Sequence, residues 1–335
     1  MKTYAFELSG EHETLPRCEA LALVEAFSTS FSEVDFLDQC LIVQAEGLDV
    51  DMLGRRLAMT HRIIEILAVC PADLSVLAEA AGRLSLPPKK YLVRARRIRD
   101  AAPPADAVER EVGRILFARG YRADLSHPEM VLRAIIASGR IVLGLEVART
   151  DRSSFEDRRP HLKPFFHPGV LMPRMARALV NLTQARAGEV LLDPFAGTCG
   201  ILIEACLIGL MGVGVEVQHR LVKGALCNLQ GLDCSLMLGD AKRLPLRGAS
   251  IDAAVLDTPY GRSAKIMARS KELLIQESLG ELFRVIRPGR RMAIVADRPI
   301  GGLIEAAGFV VLQTHTDRVH RSLTRHIFLC GKLIL

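Results

Sequence analysis

Between Glu189 and Asp257 four apolar runs each close on an acid: "EVLLD" at Asp193, "GVGVE" at Glu216, "CSLMLGD" at Asp240 and "IDAAVLD" at Asp257. Helical stretches follow the first two, "GILIEACLIG" and "HRLVKGALCNLQG". Short apolar runs that alternate with helices predict a mostly parallel, doubly wound α/β sheet buried on both faces. In such a sheet ligands bind beyond the carboxyl ends of the strands, where all four acids fall. One acid after a strand is an ordinary turn residue. Four in succession point to a site.

The alternation continues with a helix near 271–286, the strand "RMAIVAD" and the helix "IGGLIEAAG". "FVVLQTHTDRV" and "LTRHIFLCGKLIL" are predicted to pair as a terminal antiparallel hairpin. Upstream, "TYAFELS" and "QCLIVQAEG" read as strands and "CEALALVEAF" as a helix. "DVDMLGRRLAMT" reads as a further helix with Asp49 or Asp51 near its start. A second small unit then opens with the helix "DLSVLAEAAGRL". The strand "KKYLVRARRIRD" follows, with Tyr91, Val93 and Ala95 on one face and Lys90, Arg94 and Arg96 on the other. The amphipathic helix "AVEREVGRILFARG" comes next, and then two strands joined by "SGR". That order around a basic strand suits a small RNA-binding module. "TDRSSFEDRRPHLKPFFHPGV" keeps no period, so residues 150–166 are expected to be a linker. Helix resumes near "LMPRMARALVNLTQA", with Pro173 in its first turn. The expected division is therefore 1–70, 71–149, the linker 150–166 and a C-terminal domain 167–335.

Charge divides as unevenly as the pattern. Residues 1–79 hold 5 Lys/Arg against 14 Asp/Glu; the remainder holds 39 against 24. A strongly basic remainder suits a phosphate-rich partner. The candidate contacts are Lys89, Lys90, Arg94, Arg96, Arg97 and Arg99, with Arg262 near the strand-end acids. The 8 cysteines form no C-x-x-C pair, which argues against a zinc site or a disulfide framework and for small buried hydrophobes. No apolar run is long enough for a membrane span, and "MKTYAFELSGEHE" lacks the apolar core of a signal peptide. A cytoplasmic protein without a metal or a membrane partner is expected.

The strand ends specify a ligand. In "DPFAGTCG", Asp193 closes the first strand and Gly197 allows a tight turn and close approach of a ligand to the backbone. Gly200 starts the helix, whose terminal amides can meet a carboxylate. The dinucleotide G-x-G-x-x-G pattern is missing, which argues against a nicotinamide-dependent oxidoreductase. Glu216, just over twenty residues beyond Asp193, stands where an acid accepts both ribose hydroxyls. Asp240 can accept a hydrogen bond from the adenine amine. Together these describe a pocket for adenosine, ribose and an amino-acid tail, with "DTPY" beside it. That is the layout of a methyltransferase using S-adenosylmethionine.

"DTPYG" resembles the (D/N/S)PP(Y/F) motif of enzymes that methylate exocyclic amines of nucleobases, with Thr258 in place of the first proline. "RRPHLKPFFHPGVLMPRMARALVNL", "DPFAGTCGILIEA", "DTPYGRS" and "VHRSLTRHIFLCGK" resemble the archaeal tRNA guanine-10 N2-methyltransferase family, strongly over 157–335 and in arrangement alone over 1–150. Cys199 stands where such loops commonly have glycine. The resemblance implies an N-terminal ferredoxin-like α+β domain, a THUMP-type RNA-binding domain and a class I, Rossmann-like methyltransferase domain. It implies S-adenosylmethionine as cofactor, tRNA as partner and the N2 amine of guanosine as the methyl acceptor, giving the mono- or dimethylated base. In that reading the Asp257 carboxylate and the Pro259 carbonyl accept the two amine hydrogens, Asp257 takes the proton, and Tyr260 stacks on the base. His167 and Pro168 close over the methionine end of the cofactor, which Asp193 and Gly197 line, and the Ala241 amide serves a ring nitrogen. The motif does not separate this substrate from another tRNA or rRNA guanine, or from another amine. Thr258 and Cys199 leave open an RNA-binding protein with a weak catalytic site. A requirement for a small activating protein and the oligomeric state also stay open, as does any role for "RSLTRHI".

Overall fold

The computed structural model describes residues 1–260 and 268–334 and divides into two compact units, Met1–Asp151 and Arg152–Leu335. The first contains β1 (Lys2–Leu8), α1 (Leu15–Phe27), β2 (Ser30–Leu37), β3 (Cys40–Glu46), α2 (Val50–Arg56), β4 (Thr60–Pro71), α3 (Leu74–Gly82), β5 (Tyr91–Arg97), α4 (Ala105–Ala118), β6 (Met130–Ala137) and β7 (Arg140–Arg149). All seven strands join one sheet, ordered β2-β3-β1-β4-β7-β6-β5. β4 pairs antiparallel with β1 on one side and with β7 on the other, so the two small α+β modules share a continuous sheet.

Local chemistry explains most of these elements. The Asp49 side chain caps α2 by accepting from the Met52 amide at 2.9 Å. Helix α4 buries Val108, Val112 and Leu116, a four-residue spacing that puts one apolar stripe on the sheet. One expectation needs correction. The helix expected over "DVDMLGRRLAMT" stops at Arg56, because the buried Glu19 carboxylate takes the Ala58 and Met59 amides at 2.9 and 2.8 Å. The chain then enters β4, a strand that sequence reading passed over, as it did β2.

The second unit contains α5 (Ser153–Glu156), α6 (Pro173–Leu182), β8 (Val190–Asp193), α7 (Gly200–Cys206), β9 (Met211–Glu216), α8 (His219–Asn228), β10 (Cys234–Leu238), β11 (Ile251–Asp257), α9 (Ala268–Val285), β12 (Ile286–Ala296), α10 (Gly301–Ala306), β13 (Val310–His320) and β14 (Leu323–Gly331). Residues 152–166, expected to be a linker, belong to this unit. They carry α5 and the short 3₁₀ turn Pro160–Leu162, and Phe155 is buried under the Arg158 and Arg177 guanidiniums. The sheet order is β10-β9-β8-β11-β12-β14-β13. The first five strands run parallel, and β14 and β13 complete the sheet as the antiparallel hairpin expected from sequence. Central β11 is buried from Ile251 to Leu256, as a strand covered on both faces must be. Strand order reverses between β8 and β11, so Asp193 and Asp257 stand side by side at the topological switch point.

Among the described residues no helix is long and apolar enough to cross a membrane. Nor does any group of three or more His, Cys, Asp or Glu among them fit a metal ion.

Candidate active site

A cavity of about 280 Å³ opens at that switch point. His167, Pro168, Asp193, Gly197, Glu216, Asp240, Ala241, Asp257, Pro259 and Tyr260 all line it, so every described residue expected at the cofactor or the reacting base meets in one place.

The loop after β8 is built by its own backbone. Gly197 adopts a φ of 51° and gives its amide to the Glu216 carboxylate at 3.0 Å. The other Glu216 oxygen accepts from the Gln218 amide at 2.9 Å. One acid therefore ties the β8 loop to the β9 loop. Gly214 on β9 has no room for a side chain: an added Cβ would stand 2.7 Å from Leu202 and 3.1 Å from Ala196. Its absence lets α7 and the loop lie close on the strand. Cys199 begins α7 with φ 65°, a left-handed conformation that costs an ordinary side chain about 1–2 kcal/mol. Burial pushes its thiol well above the usual range, so it is an inert packing group.

Sequence reading missed the residue that brings His167 and Pro168 to the cavity. Asn228, at the end of α8, accepts from the Phe165 amide at 3.0 Å. Its own amide donates to the carbonyls of Phe165 and Thr198 at 2.9 and 3.1 Å. The 165–169 segment is thus stapled to the β8 loop. The Phe165 ring packs on Gly224, where an added Cβ would come within 2.4 Å of it.

Two of the acids, Asp193 and Asp257, are buried without enough positive charge. Asp193 is 1% exposed and accepts from the Phe195 amide at 3.0 Å. Burial pushes its carboxyl up to about 8, against that hydrogen bond and with help from the charges of Asp257 and Glu216. Burial likewise lifts Asp257 to about 7, with Asp297 adding to the rise and Tyr260 and Arg325 opposing it. Asp240, more open, accepts from the Lys242 amide at 2.9 Å. This donor set fits S-adenosylmethionine, whose sulfonium and ammonium charges would stabilise carboxylates that the protein alone leaves half-neutralised. The Tyr260 hydroxyl donates to Asp257 Oδ1, and Arg325 Nε approaches the same phenol oxygen at 3.3 Å. Among the described residues, then, "RSLTRHI" meets "DTPY" in space.

The expected RNA contacts do not form one free cluster. Lys90 pairs with Asp124 at 3.0 Å, Arg94 with Glu109 at 3.7 Å and Arg99 with Asp38 at 2.9 Å. Arg96 turns to buried Glu7 at 2.8 Å and to Gln39 at 3.1 Å. Lys89 and Arg97 are exposed and have no ion pair among the described residues. Arg262 lies outside the described residues.

Residues 160–327 match the protein family described as RMKL-like, methyltransferase domain. The protein is a methyltransferase that uses S-adenosylmethionine. Over 330 residues it is 34% identical to the tRNA (guanine(10)-N2)-dimethyltransferase of Methanothermobacter thermautotrophicus, covering 96% of each chain. The enzyme of the same description from Methanocaldococcus jannaschii is 29% identical, over 98% of this chain and 99% of its own. The crystal structure of TrmN from Thermus thermophilus shares the fold with a TM-score of 0.57 at 22% identity, over 99% of this chain and 100% of that one. The chain belongs to the tRNA (guanine-N2) methyltransferase family.

Proposed function

We propose that this enzyme methylates the exocyclic N2 amine of guanosine 10 in tRNA, giving the mono- and then the dimethylated base. The observation that carries this reading is the meeting of Asp257, Pro259 and Tyr260 with the strand-end acids around one cavity. The near full-length likeness to tRNA (guanine(10)-N2)-dimethyltransferases supports the substrate. The N-terminal unit is proposed to comprise a ferredoxin-like part, 1–70, and a THUMP-type RNA-binding part, 71–149, that presents the tRNA.

When bound, the cofactor supplies an electrophilic methyl group. Glu216 accepts from its ribose hydroxyls, Asp240 and the Ala241 amide hold the adenine, and Asp193, Gly197, His167 and Pro168 surround its methionine end. A guanine amine is a weak nucleophile because its lone pair is delocalised into the ring. Asp257 and the Pro259 carbonyl accept its two hydrogens, which orients the nitrogen and stabilises the positive charge that develops there. A carboxylate lifted to about 7 is matched to removing that proton near neutral pH. Tyr260 stacks on the extruded base, a contact worth about 1–3 kcal/mol. Exposed Lys89 and Arg97 are the proposed phosphate contacts on the N-terminal unit, with Lys90, Arg94 and Arg99 exchanging their protein partners for phosphates and Arg96 held mainly by Glu7.

The test is product identity. Unmodified tRNA transcripts and labelled S-adenosylmethionine are incubated with the protein, digested, and separated by mass spectrometry. N2-methylguanosine or N2,N2-dimethylguanosine, lost when guanine 10 is replaced, is the expected result. Label that survives the replacement moves the site to another guanine, and no labelled guanosine overturns the reading. Adding a fractionated cell extract to the same assay reads whether a small activating protein takes part.

A further inference from the structure

We propose that Arg325 is a positioning residue for methyl transfer: it fixes the direction of the Tyr260 hydroxyl, so that Asp257 faces the substrate as an ionised acceptor with one oxygen already engaged. This rests on the role given to Asp257 above.

The argument begins with donors and acceptors. A guanidinium has only N–H donors and never gives up its proton in a protein. Arg325 is 9% exposed, and its Nε lies 3.3 Å from the Tyr260 phenol oxygen. The phenol oxygen must therefore accept from Arg325. Its single proton then has one direction to go, toward Asp257 Oδ1, which is the bond observed. A carboxylate that accepts from a phenol is held in its ionised form. With Oδ1 occupied, Oδ2 is the oxygen offered to the amine. Without Arg325 the phenol is free to turn round, and a protonated Asp257 can donate to it instead. That carboxylic acid could neither grip the amine nor take its proton.

The sheet places Arg325 for this task. β14 sets Arg325 opposite Asp317 on β13, and the adjacent His326 pairs with Ala296 at the end of β12. Asp317 Oδ2 stands 3.7 Å from Arg325 Nη1, which fixes the far side of the guanidinium. The other charges around Asp257 pull both ways. Asp297 disfavours its ionised form and is itself held by Lys271 at 2.6 Å and approached by Arg298 at 3.5 Å. Among the described residues, Arg325 is the cation that acts on Asp257.

The experiment uses the whole chain and an accident of composition: it has 4 tyrosines, Tyr4, Tyr91, Tyr121 and Tyr260. Protein labelled with ¹³C at the tyrosine ring carbon that bears the hydroxyl gives four NMR signals, and Tyr260→Phe identifies one. In the wild type this signal is expected to follow Asp257 through a midpoint of about 7. Arg325→Gln is expected to raise the midpoint by about 1 pH unit or more, and Arg325→Lys by less. The acid limb of single-turnover methyl transfer should move by the same amount, with the Gln variant recovering as pH rises. A lower rate at every pH with an unmoved midpoint would make Arg325 merely structural and overturn the proposal. If the Gln variant does not fold, the Lys variant decides by the same criterion. A wild type that methylates no tRNA guanine would sink the functional reading while leaving the titration to judge Arg325.

Discussion

Glu7 and Asp193 are both acids buried at strands, and the protein treats them in opposite ways. Glu7, 0% exposed, is surrounded by Arg133 at 2.7 Å, Arg96 at 2.8 Å and Arg62 at 3.6 Å. Burial alone would push its carboxyl up, but Arg133 and Arg96 outweigh burial and hold it below the usual range. Among the described residues, Asp193 has the Phe195 amide and two acidic neighbours, and it rises to about 8. In the first unit the fold neutralises its own buried charge. In the second it leaves Asp193 beside a cavity, for an incoming cation to stabilise. A buried acid completed by the chain is part of the scaffold; a buried acid left short of positive charge is part of a binding site.

The contrast can be broken by substitution. Asp257→Ala carries the largest expected effect: methyl transfer should fall by about 10²–10⁴-fold while cofactor affinity, measured by calorimetry, stays within a few-fold. Near-normal turnover would remove Asp257 from the mechanism. Glu7→Ala should instead cost about 3–5 kcal/mol of folding stability in urea titration, because it strands buried Arg133, and should leave cofactor affinity intact in the folded fraction. Asp193→Asn separates the two kinds of acid most sharply. It should weaken cofactor binding by about tenfold or more and yet raise the melting temperature of the free protein. A lowered melting temperature would place Asp193 with Glu7.

The sign of the pH dependence follows from the same two carboxyls. Their folded values, about 8 and about 7, lie above the ordinary aspartate value, so the folded state binds protons more tightly than the unfolded chain. Their contribution favours folding at low pH and is lost as pH rises from about 4 through 8. Thermal melts of the free protein should show that loss, and Asp193→Asn should flatten it. The smallest effect is expected at Cys199→Gly. Relief of the left-handed conformation should stabilise the fold by a few tenths to about 1 kcal/mol, with no change in cofactor affinity.

Much of the second unit was legible because its strands are continuous apolar runs that end on acids, a pattern with few alternative readings. β2 was not, because it is an edge strand. Glu33 and Asp35 interrupt it at a bulge, and most of its residues are exposed. β4 was hidden because "THRIIEILAVCP" follows a helix with no glycine or proline between, and an apolar run does not declare its period. Only its pairing with β1 and β7 makes it a strand. The strand-end acids and their loops could be placed because each sits at the end of its own strand or in the loop that follows; His167 and Pro168 follow no strand and were reached only through the family resemblance. Asn228 and Arg325 could not, since their partners Phe165 and Tyr260 lie 63 and 65 residues away. The basic strand misled in the same way: counting charge cannot reveal that Arg96 faces an acid 89 residues earlier.

The most direct test of a cavity built to receive positive charge is the proton balance of cofactor binding. Calorimetry at pH 7, in buffers of different ionisation enthalpy, measures protons released on binding S-adenosylmethionine and then S-adenosylhomocysteine, which lacks the sulfonium charge. Release with the first, exceeding that with the second and reduced in Asp193→Asn, is the predicted result. Equal proton balance for the two, or none for either, would contradict the account.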